Sequence, residues 1–256
     1  MSGTLQPEVL VLGGAGNVGQ GVVAALLEAG SPVLVAGRDP GRLRALRRQF
    51  ADEPALETVP GSVADDSAAA ALAARVAQRP RPLAAVIASL GSPLQRGRLL
   101  ERPLAGLRRR LDRDVLPHLA AARQLLPLLA QSGPGGRYVL IGSPCAMRAW
   151  SGHGEASVAA AAIRMLAQVL HDEAQLLGVR VQLLEVANPV CTPGNARQAC
   201  AGWPSALAVG RRAVALLGRH APTGAIVHDR GEPVPLPSRM LHADSLRWPW
   251  QTDTVA

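Results

Sequence analysis

The sequence predicts an α/β fold in which helices flank a doubly wound parallel sheet, all within a single domain. The first observation is the regular alternation of short apolar segments with longer helical ones from residue 8 to residue 231, which is typical of parallel βαβ units. The second is composition: the 256 residues are 48% hydrophobic but only 2% aromatic, so Leu, Val and Ala must build the core. A chain of this length can bury one substantial core.

The individual elements follow from the apolar runs and from the residues that stop them. Strands are predicted at 8–12, 32–36, 56–59, 83–88, 137–141, 179–184 and 223–227. Helices are predicted from the glycine-rich turn after residue 12 to Gly30, and at 41–50, 67–78, 104–130, 155–177 and 205–217. Pro117 removes an interior N–H group and predicts a kink in the 104–130 helix. Gly178 predicts the end of the 155–177 helix.

The turn between the first strand and the first helix carries three spaced glycines, Gly13, Gly16 and Gly19. A strand that runs through such a turn into a helix is the dinucleotide-binding fingerprint in its expected context. Gly13 permits a tight turn, Gly16 lets a pyrophosphate approach the backbone, and Gly19 lets the helix pack closely on the strand. The helix N-terminus then offers free N–H groups and a positive dipole to the phosphates. The alternative is a glycine-rich turn that binds nothing.

The end of the second strand indicates which dinucleotide is bound. An acid there usually binds the ribose 2′-OH of NAD, whereas an Arg accommodates the 2′-phosphate of NADP. Arg38 therefore favours NADP(H). Asp39 is the opposing signal, although it can instead begin the next helix as an N-cap.

The charge and the cysteine content indicate which binding partners and which cellular compartment to expect. The formal net charge is +8, and all 27 basic residues are Arg because the chain contains no Lys. The arginines are spread along the chain and few aromatic residues are available to stack on bases, so a solvated basic surface is favoured over a nucleic-acid site. Three cysteines without paired spacing indicate a reducing cytoplasm. Since neither a signal sequence nor a long apolar span is visible, we expect a cytoplasmic protein that binds no membrane.

Together these features resemble the short-chain dehydrogenase/reductase family over residues 8–231. The matching segments are Gly13 to Gly19, Gly37-Arg38-Asp39-Pro40, Ile141-Gly-Ser143, Ala187-Asn-Pro-Val-Cys-Thr192, and Thr223-Gly224 with Asp229-Arg-Gly231. The resemblance implies a Rossmann-type dinucleotide-binding domain at 1–231. It also implies an irregular tail at 232–256 that packs on this domain.

The resemblance further implies which residues contact NADP(H). They belong to the glycine-rich turn, to the ends of the second, third and fourth strands, and to the loop after the sixth strand. The residues are Gly13, Ala15, Gly16, Asn17, Val18, Gly19, Arg38, Ser62, Val63, Ala88, Ser89, Leu90, Asn188, Val190 and Thr192. Two segments depart from the family: Ser62 stands where an acid usually lies beside the adenine, and Ala88-Ser-Leu-Gly91 replaces Asn-Asn-Ala-Gly.

The segment that matches the family's catalytic residues differs most from the family pattern. Ser143 matches the catalytic Ser of the family and Asp114 matches its helix Asn, but Ala156 and Ala160 stand where the family has its catalytic Tyr and Lys. In the family the Tyr hydroxyl protonates the substrate oxygen as hydride arrives at carbon, and the Lys lowers the pKa of the Tyr. The flanking segments align without a gap and the chain has no Lys to recruit, so the usual proton donor is missing.

Two nearby residues are candidate replacements for the acid. His153 is suited to proton transfer near neutral pH, and Glu155 lies close to it in sequence. Alternatively, His153 is a solvated loop residue and Glu155 is a first-turn acid favoured by the helix dipole. Cys145 and Cys191 would lie near the same mouth, but the spacing is not that of a metal site, so no metal is predicted.

Three functions remain open on the sequence: an atypical NADPH-dependent oxidoreductase, a catalytically inactive cofactor-binding sensor or partner protein, and a non-redox catalyst such as a cyclase or isomerase. The first is favoured, with a small-molecule substrate. The Ala-rich helices 104–130 and 155–177 predict a homodimer or homotetramer, because they can pack closely across a two-fold axis, as in related enzymes.

Overall fold

The computed structural model describes residues 6–133 and 135–229, and seven strands form one sheet within these ranges. They are β1 (Glu8–Leu12), β2 (Val33–Gly37), β3 (Leu56–Pro60), β4 (Leu83–Ala88), β5 (Arg137–Ile141), β6 (Arg180–Val186) and β7 (Ile226–Asp229). All neighbouring strands are parallel, and their order is β3-β2-β1-β4-β5-β6-β7. The predicted α/β fold is confirmed. The predicted tail at 232–256 lies outside the described residues.

Seven α-helices of the described ranges cover both faces of this sheet. They are α1 (Gly19–Glu28), α2 (Pro40–Gln49), α3 (Asp66–Ala77), α4 (Leu104–Asp114), α5 (Leu116–Gln131), α6 (Gly154–Ala174) and α7 (Ala206–Ala215). Buried Leu and Ala residues of α3, α5 and α6 pack on one face of the sheet, and those of α1, α2 and α7 pack on the other. No helix in the described part of the chain is long and apolar enough to cross a membrane.

The sheet creates a ligand crevice by its strand order. The connections run outward from β1 in one direction to β2 and β3, and in the other direction from β4 to β7. At such a switch point the loops after the two central strands diverge to opposite faces, and ligands bind outside the carboxyl ends of the strands. The residues after β1, β4, β5 and β6 therefore belong to one region.

The predicted single helix at 104–130 is wrong. The structure has two helices, α4 and α5, which meet at Val115. Pro117 lies in the first turn of α5, where a missing N–H group costs nothing because the first N–H groups of a helix have no helical acceptor. The chain therefore restarts a helix at this proline instead of bending through it.

The ends of other elements also differ from the prediction. The α6 helix stops at Ala174, and a 3₁₀ turn, Gln175–Leu177, leads to Gly178, whose φ of +67° ends the helical region as predicted. Strand β6 extends to Val186, and β7 begins at Ile226 instead of residue 223. These differences are confined to a few terminal residues, where fraying and short turns compete with regular structure.

Helices α1 and α7 cross with their backbones in contact. A Cβ added at Gly21 would lie 2.1 Å from the carbonyl carbon and oxygen of Ala206, and one added at Gly210 would lie 2.2 Å from the carbonyl oxygen of Gly21. Only glycine leaves room for such a crossing. Because α1 begins in the glycine-rich turn, this contact holds that turn against the outer helix layer.

We expect Gly210→Ala to destabilise the protein by about 2–3 kcal/mol, since the new methyl group meets backbone atoms that cannot rotate away. Urea unfolding followed by circular dichroism measures this. Gly224→Ala is the matched control, because the nearest atom to its added Cβ is the Ile226 carbonyl oxygen at 3.9 Å. Equal midpoints for Gly210→Ala and the unsubstituted protein would contradict the close crossing.

Candidate functional site

The glycine-rich turn joins the ends of β1 and β4 to the start of α1. Gly13 has a φ of +73°, and a Cβ there would lie 2.3 Å from the carbonyl oxygen of Ser89, directly after β4. A Cβ at Gly19 would lie 2.2 Å from the carbonyl oxygen of Gly13. Gly19 thus packs on the turn just beyond the strand, not on the strand itself as predicted from the sequence. Both positions require glycine for steric reasons.

The N-terminus of α1 is arranged to receive an anion. The Gly16 N–H donates to the Gly13 carbonyl at 2.9 Å. Within the described ranges, that oxygen, at 3.1 Å, would be the one close neighbour of a Cβ added at Gly16. Among the described residues no side chain caps the helix, and its first turn holds no acid. Ala15 and Val18 pack half-buried on the core, whereas Asn17 is exposed. The helix end therefore offers N–H groups beside an open cradle, which suits a pyrophosphate.

The two charged residues after β2, Arg38 and Asp39, have different surroundings. Asp39 caps α2: its Oδ1 accepts the N–H groups of Gly41 at 2.8 Å and Arg42 at 3.2 Å. Arg38 is exposed, and in the described ranges it forms no ion pair. The carboxylate that could have bound a ribose is committed to the helix, while the guanidinium next to it remains available to an anion.

The residues expected near an adenine lie partly in the core. The Ser62 hydroxyl accepts the Ala64 N–H at 3.1 Å, and Val63 packs into the core with 8% of its surface exposed. Ala88 is fully buried, so its side chain belongs to the core and does not line the crevice. The Ser89 N–H donates to the Leu12 carbonyl at 3.0 Å, and Leu90 packs against the core.

The loop after β6 folds over the glycine-rich turn. Asn195 organises it: its Oδ1 accepts from the Thr192 N–H at 2.7 Å and from the Thr192 hydroxyl at 3.1 Å, and its Nδ2 donates to the Val190 carbonyl at 2.9 Å. Asn188 donates to the Gly202 carbonyl at 3.4 Å. A Cβ at Gly194 would lie 3.9 Å from Nδ2 of Asn17. The structure thus brings this loop to the predicted phosphate site.

The turn after β5 connects Ser143 to the segment that packs with the two alanines. Ser143 starts the 3₁₀ turn Pro144–Ala146, and its Oγ accepts the Cys145 N–H at 3.4 Å. Ala156 and Ala160 lie on α6, are 5% and 6% exposed, and form a buried apolar cluster with Cys145. The half-buried residues Ala146 and Trp150 pack against the same cluster. The sequence did not single out Cys145 as a neighbour of both alanines.

Asp114 belongs to a buried network. It is 3% exposed, accepts the Ser92 hydroxyl at 2.6 Å and forms an ion pair with Arg110. Arg110 also donates to the carbonyls of Pro93 at 2.8 Å and Ser92 at 3.3 Å. This ion pair is buried and does not lie on the exposed surface of the helix. The network of Ser92, Arg110 and Asp114 therefore connects the loop after β4 to helix α4.

The two candidate acids are attached to the same loop. Nδ1 of His153 lies 3.1 Å from the Gln95 carbonyl, so the neutral ring carries its proton on Nδ1. Glu155 is 9% exposed, with Oε2 4.0 Å from Nη1 of Arg102. A Cβ at Gly106 would lie 2.3 Å from Oε1 of Glu155, so this carboxylate fills the notch where α4 meets α6. Glu155 is therefore not the solvated first-turn acid of the sequence alternative.

His118 is a buried residue that sequence reasoning missed. It lies on α5 near the backbone of Leu90, fully buried. Burial lowers the pKa of His118 to about 4, and the Leu90 backbone opposes this shift. Among the described residues neither of its ring nitrogens forms a hydrogen bond of regular geometry. The ring is therefore neutral at physiological pH.

Two further kinds of group that could take part in catalysis, the buried tyrosine and metal ligands, add nothing to the site within the described residues. Tyr138 is fully buried in β5, and burial raises its pKa. In the described part of the chain no group of His, Cys, Asp or Glu residues is placed to hold a metal ion, and the three cysteines are free.

Comparisons with known proteins agree with this geometry. Residues 7–198 match a sequence model described as short chain dehydrogenase. A short-chain type dehydrogenase/reductase from Mycobacterium ulcerans is 23% identical with a TM-score of 0.78, over 88% of this chain and 89% of that one. The RhlG/NADP active-site complex from Pseudomonas aeruginosa is 20% identical with a TM-score of 0.77, over 89% and 96%. No curated protein matches significantly.

We expect acid to destabilise the protein through His118. The unfolded chain binds a proton at the ordinary histidine pKa of 6.5, whereas the folded chain binds it only at about 4, so stability falls as pH drops between these values. In His118→Leu the urea midpoint should fall less over this interval. His220→Gln, at an exposed position, is the control. An unchanged acid dependence in His118→Leu would refute this assignment.

Proposed function

The chain belongs to the short chain dehydrogenase family, and on that premise we propose that it is an NADP(H)-dependent oxidoreductase that works without the usual Tyr–Lys pair. The cofactor assignment depends on the different surroundings of the two charged residues that follow β2. Asp39 caps α2 and Arg38 stays exposed, which favours a 2′-phosphate over a ribose hydroxyl. The NADP named in the RhlG complex supports the same cofactor class.

The pyrophosphate and adenine ends of NADP(H) fit the described residues. The open cradle at Gly16 and the uncapped start of α1 would hold the pyrophosphate, and Arg38 would bind the 2′-phosphate. The loop around Val190 and Thr192 would cover the nicotinamide end. When bound, the cofactor supplies a hydride. Ser143 would orient a substrate oxygen with its hydroxyl, which stands half-buried at the mouth of the β5 loop.

The missing pair alters the proton step more than the binding step. Ala156 and Ala160 provide no acid and no cation at the matched positions. General acid catalysis of this kind contributes about 10²–10⁴-fold. Ordinary ketones should therefore be reduced slowly unless another group supplies the proton.

A second candidate function is that of an NADP(H)-binding protein without hydride transfer. The observation that favours it is the burial of Ala156 and Ala160 beneath Cys145 and Trp150, which fills the matched positions with protein atoms. The two functions separate in one experiment. Calorimetric titration with NADPH tests binding, and loss of NADPH absorbance with 2,3-butanedione or ethyl acetoacetate tests hydride transfer. Binding without turnover supports the second candidate, and no binding of NADPH overturns both.

We also propose that the protein is a homodimer that pairs through α6. One side of this helix exposes apolar residues at helical spacing: Val158, Met165 and Val169, with exposed fractions of 40%, 59% and 45%. Leu176, in the 3₁₀ turn that follows the helix, is 93% exposed. Leu116 and Leu119 of α5 are 49% and 37% exposed. A row of apolar side chains of this kind is suited to a two-fold helix pair.

We expect Arg38→Ala to weaken NADPH binding by about ten- to a hundredfold, the loss of a charge-assisted contact with phosphate. NADH binding should change little, so the preference between the two cofactors disappears. Arg109→Ala removes the same charge from an exposed position on α4 and serves as the control. Calorimetry with both cofactors decides: equal affinities in the unsubstituted protein would overturn the NADP(H) assignment.

We expect Met165→Arg to convert the dimer to a monomer, because two like charges would face each other across the axis without solvent. Light scattering at micromolar concentration measures the mass. Ala70→Arg, on an exposed position of α3, should leave it unchanged. A monomeric unsubstituted protein would disprove the proposed interface.

A further inference from the structure

The loop that follows β4 forms one wall of the crevice at the switch point of the sheet. A Cβ added at Gly13 would lie 2.3 Å from the Ser89 carbonyl oxygen and 3.5 Å from Cδ2 of Leu90, so the start of this loop packs on the glycine-rich turn. Because the strand order reverses between β1 and β4, a dinucleotide bound at the turn extends along this wall. The position of residues 89–94 therefore decides how the crevice is shaped beyond the turn.

Arg110 on α4 holds the far end of this wall. Its Nη1 donates to the Pro93 carbonyl at 2.8 Å, and its Nη2 donates to the Ser92 carbonyl at 3.3 Å. Its Nε forms the ion pair with the Asp114 carboxylate, which also accepts the Ser92 hydroxyl at 2.6 Å. A guanidinium can bond a carboxylate and two carbonyls at once because its five N–H groups form a planar fork, whereas an ammonium is a compact point charge.

These contacts are the ones that tether the loop. In the described ranges, every hydrogen bond of regular geometry that residues 91–94 form is made with Arg110 or Asp114. Gly91 has a φ of +156°, and among the described residues no atom would lie within 4 Å of a Cβ added there. The side chains of Arg110 and Asp114 are 11% and 4% exposed, so water competes little for either group. Without them, nothing else described here would hold this segment in place.

We propose that Arg110 is a positioning residue for NADP(H): by holding the Ser92 and Pro93 carbonyls, it fixes the wall of the crevice along which the nicotinamide half of the cofactor lies. This role rests on the proposed function, since it requires a bound cofactor. Arg110 acts through the backbone of residues 89–94 and not by touching the cofactor. Arg38 lies on the β2 side of β1, away from this wall, so the role is confined to one half of the dinucleotide.

The contacts with the loop can be removed while the fold is kept. Arg110→Gln alone would leave the Asp114 carboxylate buried without its cation, which is strongly destabilising. Replacing both charged residues by apolar ones of similar size is often neutral for stability. The double variant Arg110→Met with Asp114→Leu therefore loses the hydrogen bonds to the loop without burying an unpaired charge.

The first test needs no cofactor. A nitroxide attached to Leu94→Cys, a position 45% exposed, reports the mobility of the loop in the full-length protein. Cys191→Ser and Cys200→Ser remove the accessible native thiols, whereas Cys145 is 2% exposed and stays unlabelled. The double variant should give a narrower nitroxide spectrum than the same protein with Arg110 and Asp114 in place. Identical spectra would overturn the tether.

The second test compares the binding of NADPH with that of 2′,5′-ADP, which carries the adenine half and the 2′-phosphate but no nicotinamide. In the double variant the calorimetric affinity for NADPH should fall by about ten- to a hundredfold, because binding must order the released backbone again. The affinity for 2′,5′-ADP should stay unchanged. Residues that only stabilised the fold would not change the ratio of the two affinities.

Arg110→Lys is the conservative variant. It keeps a cation beside Asp114 but lacks the planar fork, so its urea midpoint should stay close to that of the unsubstituted protein. Its NADPH affinity should lie between those of the unsubstituted protein and the double variant. Arg109→Gln, at the exposed neighbouring position of α4, is the control and should change neither affinity.

The outcomes separate this role from the proposed function. If the unsubstituted protein binds NADPH and the folded double variant binds it equally well, the role of Arg110 is overturned while the NADP(H) assignment stands. An equal loss of NADPH and 2′,5′-ADP affinity also overturns the role, since the effect would then not be confined to the wall. If the unsubstituted protein does not bind NADPH, the proposed function fails and the role of Arg110 toward the cofactor fails with it.

Discussion

The contact between the glycine-rich turn and the end of β4 is the constraint on which the site depends. A methyl group at Gly13 would overlap the Ser89 carbonyl, and one at Gly19 would overlap Gly13 itself. Backbone atoms therefore meet where side chains would keep them apart. This closeness brings the N-terminus of α1 to the switch point of the sheet, and the crossing at Gly21 and Gly210 holds the helix from its other side. The open cradle at Gly16 is thus built from backbone atoms, whose geometry changes little when side chains elsewhere are substituted.

The parts that the sequence predicted are those that depend on local chemistry. Strand alternation, the glycine spacing and the capping by Asp39 are decided within a few residues, because apolar periodicity, steric freedom and short side-chain hydrogen bonds act locally. The break at Val115 was missed because the pattern is helical on both sides of it. Whether Pro117 bends a helix or starts a new one depends on the tertiary packing of α4 against α6.

The buried polar network of α4 shows the limit of sequence reasoning more clearly. Gly106, Arg110 and Asp114 follow at four-residue intervals on α4 and therefore share one face of the helix, and Arg102 lies just before it. That face meets Glu155 and the loop at Ser92, where charged groups are paired instead of solvated. The sequence shows charges on a helix but not which of them are covered. Burial is a property of the assembled layers, and it makes each ion pair obligatory, because an unpaired buried charge is strongly destabilising.

On the proposed match of Ala156 and Ala160 to the family's Tyr and Lys positions, the two replacements are best understood as one change. A lysine kept without its tyrosine would bury an uncompensated charge, and a tyrosine kept alone would lack the cation that makes its hydroxyl acidic enough to act. Replacing both by alanine removes these costs together and leaves a small apolar surface on α6, which the Cys145 side chain covers. The cation of the neighbouring helix α4, Arg110, is paired with the buried Asp114. With alanine at both positions, this part of α6 buries no charge that would need a partner.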